Sequence, residues 1–389
     1  MVGLVATPSG PLAGLRVVEL AGVGPGPFAA MMLADLGADV LRIERGSAAA
    51  KDVETWDLLA RSRPSVAVDL KAVAGRELVL RLCESADALI EGFRPGVAER
   101  LGVGPDAARA RNPRLVYGRI TGWGQDGPLA QRAGHDINYI AMSGALWPIG
   151  RAGEAPVPPL NLVGDFGGGG MFLVAGVLAA LIERGHSGEG QVVDAAMLDG
   201  SAALLTMTHA LLNLGYWTEE RGANLLDGGA PFYTVYATSD DRFVAVGALE
   251  PQFYGELLDG LGLRATDLPA QMDRERWPEL RQRLAAVFAT RTRDAWEEVF
   301  SGRDACVSPV LSPREAAVHP VNVQRNVFRA DGPLGPYQPN PAPRFSRTPA
   351  AIGRPPGLAG SQTREGLRSW GVSDEDLDAF ARAGAFGDS

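Results

Sequence analysis

Cysteine is nearly absent from this chain. Cys83 and Cys306 are the only two in 389 residues, and they lie far apart in no zinc or redox spacing. That excludes a disulfide scaffold and predicts two reduced thiols in a reducing compartment. Histidine is as scarce: no two of the four stand at the spacing of a zinc-binding pair, so no metal site is expected. The chain has no basic block, and its net charge is −9. Nucleic acid is therefore an unsuitable partner, because phosphate neutralisation needs clustered Lys and Arg; a small anion held by a few local arginines remains compatible. The longest apolar run, MFLVAGVLAALI at 171–182, has 12 residues, too few to cross a bilayer. The opening MVGLVATPSGPLAGL has no basic n-region and is not read as a secretory signal. No G-x-S-x-G elbow, internal repeat or long low-complexity tract occurs. A soluble, cytoplasmic protein with no membrane partner is the expectation.

What is present is a chain long enough for two domains. The first third alternates β-rich runs (LRVVEL 15–20, DVLRIE 39–44, SVAVDL 65–70, DALIEG 87–92, LVYGRI 115–120) with helical stretches such as FAAMMLADLG (28–37) and GRELVLRLCESA (75–86). This rhythm predicts a parallel α/β sheet with covering helices. A further strand (190–196) follows a helix from about Gly170 to Arg184, and another helix runs to about Leu214. PFYTVYAT (231–238) and RFVAVGAL (242–249), joined through Ser-Asp-Asp, read as a hairpin. Helices near 250–260, 276–290 and 293–301 complete a smaller α+β domain at 225–310. The predicted division is a large domain at 1–214, linkers at about 215–224 and 311–319, and a return segment, 320–389, that completes the large domain. The proline-rich segment from Pro309 to Pro356, as at 332–349, suits an extended crossing, and one final helix is expected near 361–383.

Between the first strand and its helix runs AGVGPGP (21–27), the place where a dinucleotide fold keeps its phosphate-binding glycines; Glu44 ends the next strand, where a ribose-binding acid belongs. Gly22 and Gly24 fit that fingerprint, but Pro27 holds the third glycine position. The run is read as a tight strand-to-helix turn. Three acid–base candidates stand in more telling settings: His135 in GHDINYI, Asp165 ahead of four glycines in NLVGDFGGGG, and Glu250 where a strand gives way to Pro251. Each has a plainer explanation. Asp165 could cap the helix after it, Glu250 could be a first-turn acid favoured by the helix dipole, and His135 could be a core residue. Together they suggest proton transfer, since an imidazole and a carboxylate form a base–acid couple near neutral pH. Four glycines in a row make sense where the backbone must approach a ligand.

GHDINYIAMSGAL (134–146), PPLNLVGDFGGGGMFLVAG (158–176), SGEGQVVDAAMLDG (187–200) and LDGGAPFY…VGALEPQFY (226–254) resemble the α-methylacyl-CoA racemases of the family III CoA-transferase superfamily. LRVVELAGVGPGPFAAMMLADLGADVLRIER (15–45), RPGVAERLG (94–102) and TGWGQDGP (121–128) fit the same family, so the likeness runs from about residue 10 to about 350. The resemblance implies an interlocked homodimer, each chain with a large Rossmann-like CoA-binding domain and a small domain, and an active site shared between subunits. His135 and Asp165 match the two proton carriers, and Glu250 matches the acid that hydrogen-bonds the histidine, contributed in trans. The substrate would be a 2-methyl-branched acyl-CoA, with no cofactor beyond the CoA it carries. Arg45 and Arg100 match CoA-contacting positions, with Lys71 and Arg94 as helpers. Backbone amides at Asp165, Gly167 and Gly168 are candidate enolate donors, and Met142, Met197 and Met207 could line an adaptable acyl site. The rival is acyl transfer, because Asp165 also matches the nucleophilic aspartate of family III CoA-transferases. Those enzymes show G-Y-D-x-x-x-Q-A-x-S-G where this chain has His135 and Ile140 in place of the tyrosine and glutamine. A base in place of a phenol favours proton abstraction. A non-catalytic CoA-binding scaffold is the third class, and intact acid–base positions argue against it.

Overall fold

The structure, a computed structural model, describes residues 10–45, 57–330 and 337–387. The first nine residues and positions 332–336 of the proline-rich stretch lie outside the described residues. The chain forms two compact units: residues 1–143, 160–204 and 328–389, and residues 144–159 and 205–327.

The first unit is built on β1 (Arg16–Leu20), β2 (Asp39–Glu44), β3 (Ser65–Ala67), β4 (Ala88–Glu91), β5 (Val116–Thr121) and β6 (Val192–Ala196), ordered β3-β2-β1-β4-β5-β6 with every pairing parallel. Both faces of such a sheet must be covered, and the residues alternate accordingly. Val18, Leu41, Leu89 and Tyr117 face a core completed by Leu78 and Leu82 of α2 (Val73–Cys83) and by Leu367, Trp370 and Leu377 near the C-terminus. Val17, Val40, Ala88 and Val116 face a core with Ala29 and Leu33 of α1 (Pro25–Asp35) and Leu173, Val174 and Val177 of the helix Phe172–Ser187. The strand order reverses direction between β1 and β4. In an open α/β sheet that switch point opens a crevice at the carboxyl ends of the strands.

Several expectations are corrected here. The apolar run at 171–182 sits inside a longer continuous helix, Leu162–Ser187, whose 26 residues are long and apolar enough to cross a membrane by length and composition. Its Leu173, Val174, Val177 and Ala180 are buried against the sheet. Its first part, Leu162–Met171, is a π-helix containing the four glycines, so the helix begins eight residues before the expected start at Gly170 and runs through the glycines. They serve close packing instead. A Cβ on Gly168 would lie 2.6 Å from the Ser201 nitrogen, one on Gly169 2.8 Å from Met197 Cγ, and one on Gly170 2.6 Å from Phe28 Cδ1. The expected single C-terminal helix is two, Thr363–Ser369 and Asp374–Arg382, separated at Gly371 with φ +84°; a left-handed glycine ends a helix cheaply.

The second unit carries an antiparallel sheet of β7 (Tyr233–Ala237), β8 (Phe243–Gly247) and an unforeseen edge strand β9 (Val307–Pro309). Helices Pro251–Leu261, Trp277–Phe288 and Arg293–Phe300 cover it around Phe232, Trp277, Phe288 and Trp296. This unit is larger than the predicted 225–310. It takes in residues 144–159 because Trp147 Nε1 donates to the Glu219 carbonyl at 2.7 Å and Arg221 Nε donates to the Trp147 carbonyl at 2.6 Å. It extends past 310 because Arg293 pairs with Glu315 at 3.0 Å. The helix Thr206–Asn213, assigned from sequence to the large domain, belongs here and buries none of its residues.

The tightest contact in the first unit is testable. A Cβ on Gly200, in the helix Met197–Leu204, would stand 1.8 Å from the Gly168 carbonyl oxygen. Gly200→Ala is expected to destabilise by about 3 kcal/mol, as overpacking against immovable backbone does. A urea midpoint equal to wild type would refute the close packing.

Candidate active site

Loops at the carboxyl ends of β1, β4 and β5 enclose a cavity of about 290 Å³. Its walls include Gly24, Arg94, Trp123, Arg132, His135 and Asp165, all from the first unit. The crevice predicted by the strand order is therefore where two of the three acid–base candidates meet.

His135 is the N-cap of the helix Asp136–Met142. Its amide donates to Asn138 Oδ1 at 3.0 Å, and its ring is not in the core; the side chain is exposed to the cavity. Below it, Tyr139 is wedged edge-on against Trp123, with ring centroids 4.7 Å apart. Gly122 and Gly134 make room for that wedge, since a Cβ on either would lie 2.0 or 2.7 Å from the Tyr139 ring. Burial, with Asp165 adding to it, raises the Tyr139 phenol pKa, so the ring is a neutral spacer.

Asp165 does not cap a helix. It lies within the π-helix, half-buried, and its Oδ2 accepts from Asn161 Nδ2 at 3.2 Å. The glycine-rich turn faces it: Gly24 has φ +73°, and a Cβ there would come within 3.2 Å of Asp165 Oδ2. The first glycine motif thus leaves space for a carboxylate. Glu44, the supposed ribose acid, is engaged by Arg42 Nε at 3.0 Å and by the Ser65 hydroxyl. Burial raises the Asp165 pKa and nearby Asp136 adds to the rise, while Asn161 and His135 oppose it.

The expected enolate donors need revision. The Asp165 N–H already donates to Asp136 Oδ2 at 2.7 Å. Gly167 and Gly168 lie inside the π-helix, whose ladder uses amides five residues apart. None of the three is a spare donor. Asn161, Arg132 and Asp136 were missed as contributors. Asn161, the N-cap of the π-helix, had no local signal, because the helix was expected to begin only near Gly170.

Glu250 belongs to the second unit, as N-cap of the helix Pro251–Leu261, where the helix dipole favours an acid; it is exposed and its side chain makes no capping bond. Arg45, Lys71, Arg94 and Arg100 are all exposed and follow the carboxyl ends of β2, β3 and β4. Of these four, Arg94 lines the cavity. Met197 also lines it, whereas Met142 and Met207 are exposed. Among the described residues, no three His, Cys, Asp or Glu side chains cluster as metal ligands.

The profile of CoA-transferase family III matches residues 12–363. The chain is 49% identical to an α-methylacyl-CoA racemase of Mus musculus and 46% identical to that of Homo sapiens, each alignment covering 94% of this chain and 95% of the relative. A crystal structure of a CAIB/BAIF family protein from Brucella suis superposes with a TM-score of 0.79 at 25% identity, covering 93% of this chain and 100% of that one.

Because folding raises the Asp165 pKa, the folded chain binds more protons than the unfolded one between the ordinary aspartate value and the raised one, and stability falls as pH rises through that window. Asp165→Asn removes this loss. It is expected to raise the melting temperature at about pH 7 and to confer no advantage at about pH 3, as read by scanning calorimetry.

Proposed function

The chain belongs to CoA-transferase family III, and we propose that within it the protein is an isomerase, a racemase of 2-methylacyl-CoA thioesters. The observation that carries this reading is the meeting of His135 and Asp165 on one cavity at the sheet's switch point. A thioester acidifies its α-carbon. The neutral imidazole of His135 takes the α-proton from one face, leaving a planar enolate and an imidazolium. The protonated carboxyl of Asp165 returns a proton to the opposite face and becomes carboxylate. The reverse turnover starts from that protonation state with the roles exchanged. No redox step occurs, so the chemistry calls for no cofactor beyond the substrate's own CoA.

The raised Asp165 pKa supports the donor role, because the carboxyl holds its proton to higher pH. Arg45, Lys71, Arg94 and Arg100 are proposed to meet the CoA phosphates, and exposed cations along the ligand-binding edge of the sheet suit that task. Acyl transfer through Asp165 is the alternative the family name carries. The relatives at 46% and 49% identity favour racemisation, as does His135 at the position of a transferase tyrosine.

The working form is proposed to be an interlocked homodimer in which Glu250 hydrogen-bonds the partner's histidine. Support comes from exposed apolar surface: Leu160 is 75% exposed, Ile182 69% and Leu214 67%, and no residue of the helix Thr206–Asn213 is fully buried within this chain. Surfaces of that kind ask for a partner. Two free thiols, Cys83 buried and Cys306 exposed, suit the reducing cytoplasm as the proposed location.

Proton NMR of one enantiomer of a 2-methylacyl-CoA in D₂O, without cofactor or acceptor acid, is expected to show loss of the α-proton signal together with loss of optical purity. An inert α-proton, with a hydroxylamine-trapped Asp165 anhydride once acceptor acids are added, would establish transfer instead. His135→Ala is expected to lower racemisation by about 10²–10⁴-fold while thioester binding stays near wild type. Co-expression of His135→Ala with Glu250→Gln tests the shared site: a trans arrangement leaves one intact site per heterodimer and about half the wild-type activity, whereas a cis arrangement leaves none.

A further inference from the structure

Asp136 follows His135 in the chain and is buried, 7% exposed. Its Oδ2 accepts the Asp165 N–H at 2.7 Å. Its Oδ1 is buried with no hydrogen-bond partner, an arrangement that costs stability. Helix capping does not account for it, since the N-cap is His135 and Asp136 is the first residue inside the helix. Gly164 is shaped to admit it: a Cβ there would stand 2.5 Å from Asp136 Oδ2. One hydrogen bond thus ties the residue after His135 to the peptide that carries Asp165.

We propose that Asp136 is a positioning residue of the proton relay, clamping the Asp165 peptide to the His135 segment and placing a fixed negative charge beside the Asp165 carboxyl. This rests on the racemase reading. The two carriers must stand on opposite faces of one planar enolate, so their separation is the quantity the active site has to fix. A clamp from the neighbour of one carrier to the amide of the other fixes it with a single bond.

The charged and titratable groups that act on Asp165 are few. From the segment 135–142 come His135 and Asp136, with the Tyr139 phenol beside them; the N-cap of its own helix, Asn161, adds only a neutral hydrogen bond. The glycine-rich turn and the helix Met197–Leu204 contribute no charge that shifts it. Asp136 is the one side chain that holds the proton on Asp165, alongside burial.

Asp136→Asn keeps the volume and an acceptor but removes the charge. It is expected to lower kcat for α-proton exchange by about 10- to 100-fold with KM nearly unchanged, and to move the limb of the pH–rate profile that belongs to Asp165 to lower pH. The Asp165 carboxyl, assigned in a ¹³C-carboxyl NMR titration by its loss in Asp165→Asn, should shift the same way. That titration needs no substrate, so it still decides whether the Asp136 charge acts on the Asp165 carboxyl if wild-type protein fails to exchange α-protons and the racemase reading falls. Gly164→Ala pushes the carboxylate off the amide without altering its charge; it should also lower kcat, and the double variant should be little worse than either single one. If Asp136→Asn fails to fold, as judged by circular dichroism, the kcat of Gly164→Ala decides. A wild-type Asp165 titration in Asp136→Asn, or a wild-type kcat in Gly164→Ala, overturns the proposal.

Discussion

The first unit depends on one constraint: the backbone of residues 162–171 is packed against its neighbours with no space for side chains at its contact points. Gly168 meets the Gly200–Ser201 backbone, Gly169 meets Met197, Gly170 meets Phe28, and Gly164 meets Asp136. A π-helix has a wider turn than an α-helix and needs contacts that compensate its poorer geometry. Here the compensation is close approach on several sides, which glycine alone permits. Asp165 sits in the middle of this segment. Its carboxyl is therefore placed by backbone shape more than by side-chain packing, and it has little freedom to drift.

A second set of contacts holds the opposite wall. Glu19 of β1 is buried and pairs with Arg63 at 2.8 Å and with Arg42 at 3.0 Å. Arg63 Nη1 also donates to the Pro27 carbonyl at 3.0 Å, at the end of the glycine-rich turn. Buried pairs of this kind add little net stability but are costly to break. The chain from Glu19 through Arg63 to Pro27 fixes a turn that must leave room for Asp165 at Gly24. The charges beneath the sheet edge and the glycines above it work on the same few ångströms of space.

The parallel sheet was legible because fully buried strands leave apolar runs bounded by turns, as in 15–20 and 115–120, and because each is followed by a helical period. His135 and Asp165, which line one cavity, drew notice in the sequence because they stand in polar settings at the ends of apolar stretches. The purpose of the glycines was not. Four glycines read alike whether a ligand or a helix approaches them, and only the positions of Met197, Ser201 and Phe28, distant in sequence, distinguish the cases. The same limit hid the division of the chain. Residues 144–159 join the second unit through Trp147 and Arg221, a contact between segments some seventy residues apart that no local pattern announces. Asp136 was visible only as the neighbour of a histidine, because its hydrogen bond spans 29 residues.

The chemistry of Asp165 bears on how one family accommodates both transfer and racemisation. A nucleophilic carboxylate must be ionised when the thioester arrives, and its surroundings should favour the anion. A proton donor must keep its proton until an enolate forms, and its surroundings should favour the acid. Here the carboxyl is half-buried, receives a hydrogen bond from the neutral Asn161 amide, and has Asp136 held beside it. Burial and a like charge both favour the acid, and the net displacement of the pKa is upward. The positively charged form of His135 acts in the opposite direction, so proton uptake by the histidine makes Asp165 readier to release its own. Under the proposed racemase reading, loss of a proton at one of these residues and gain at the other are then favoured together, as a relay needs and a nucleophile does not.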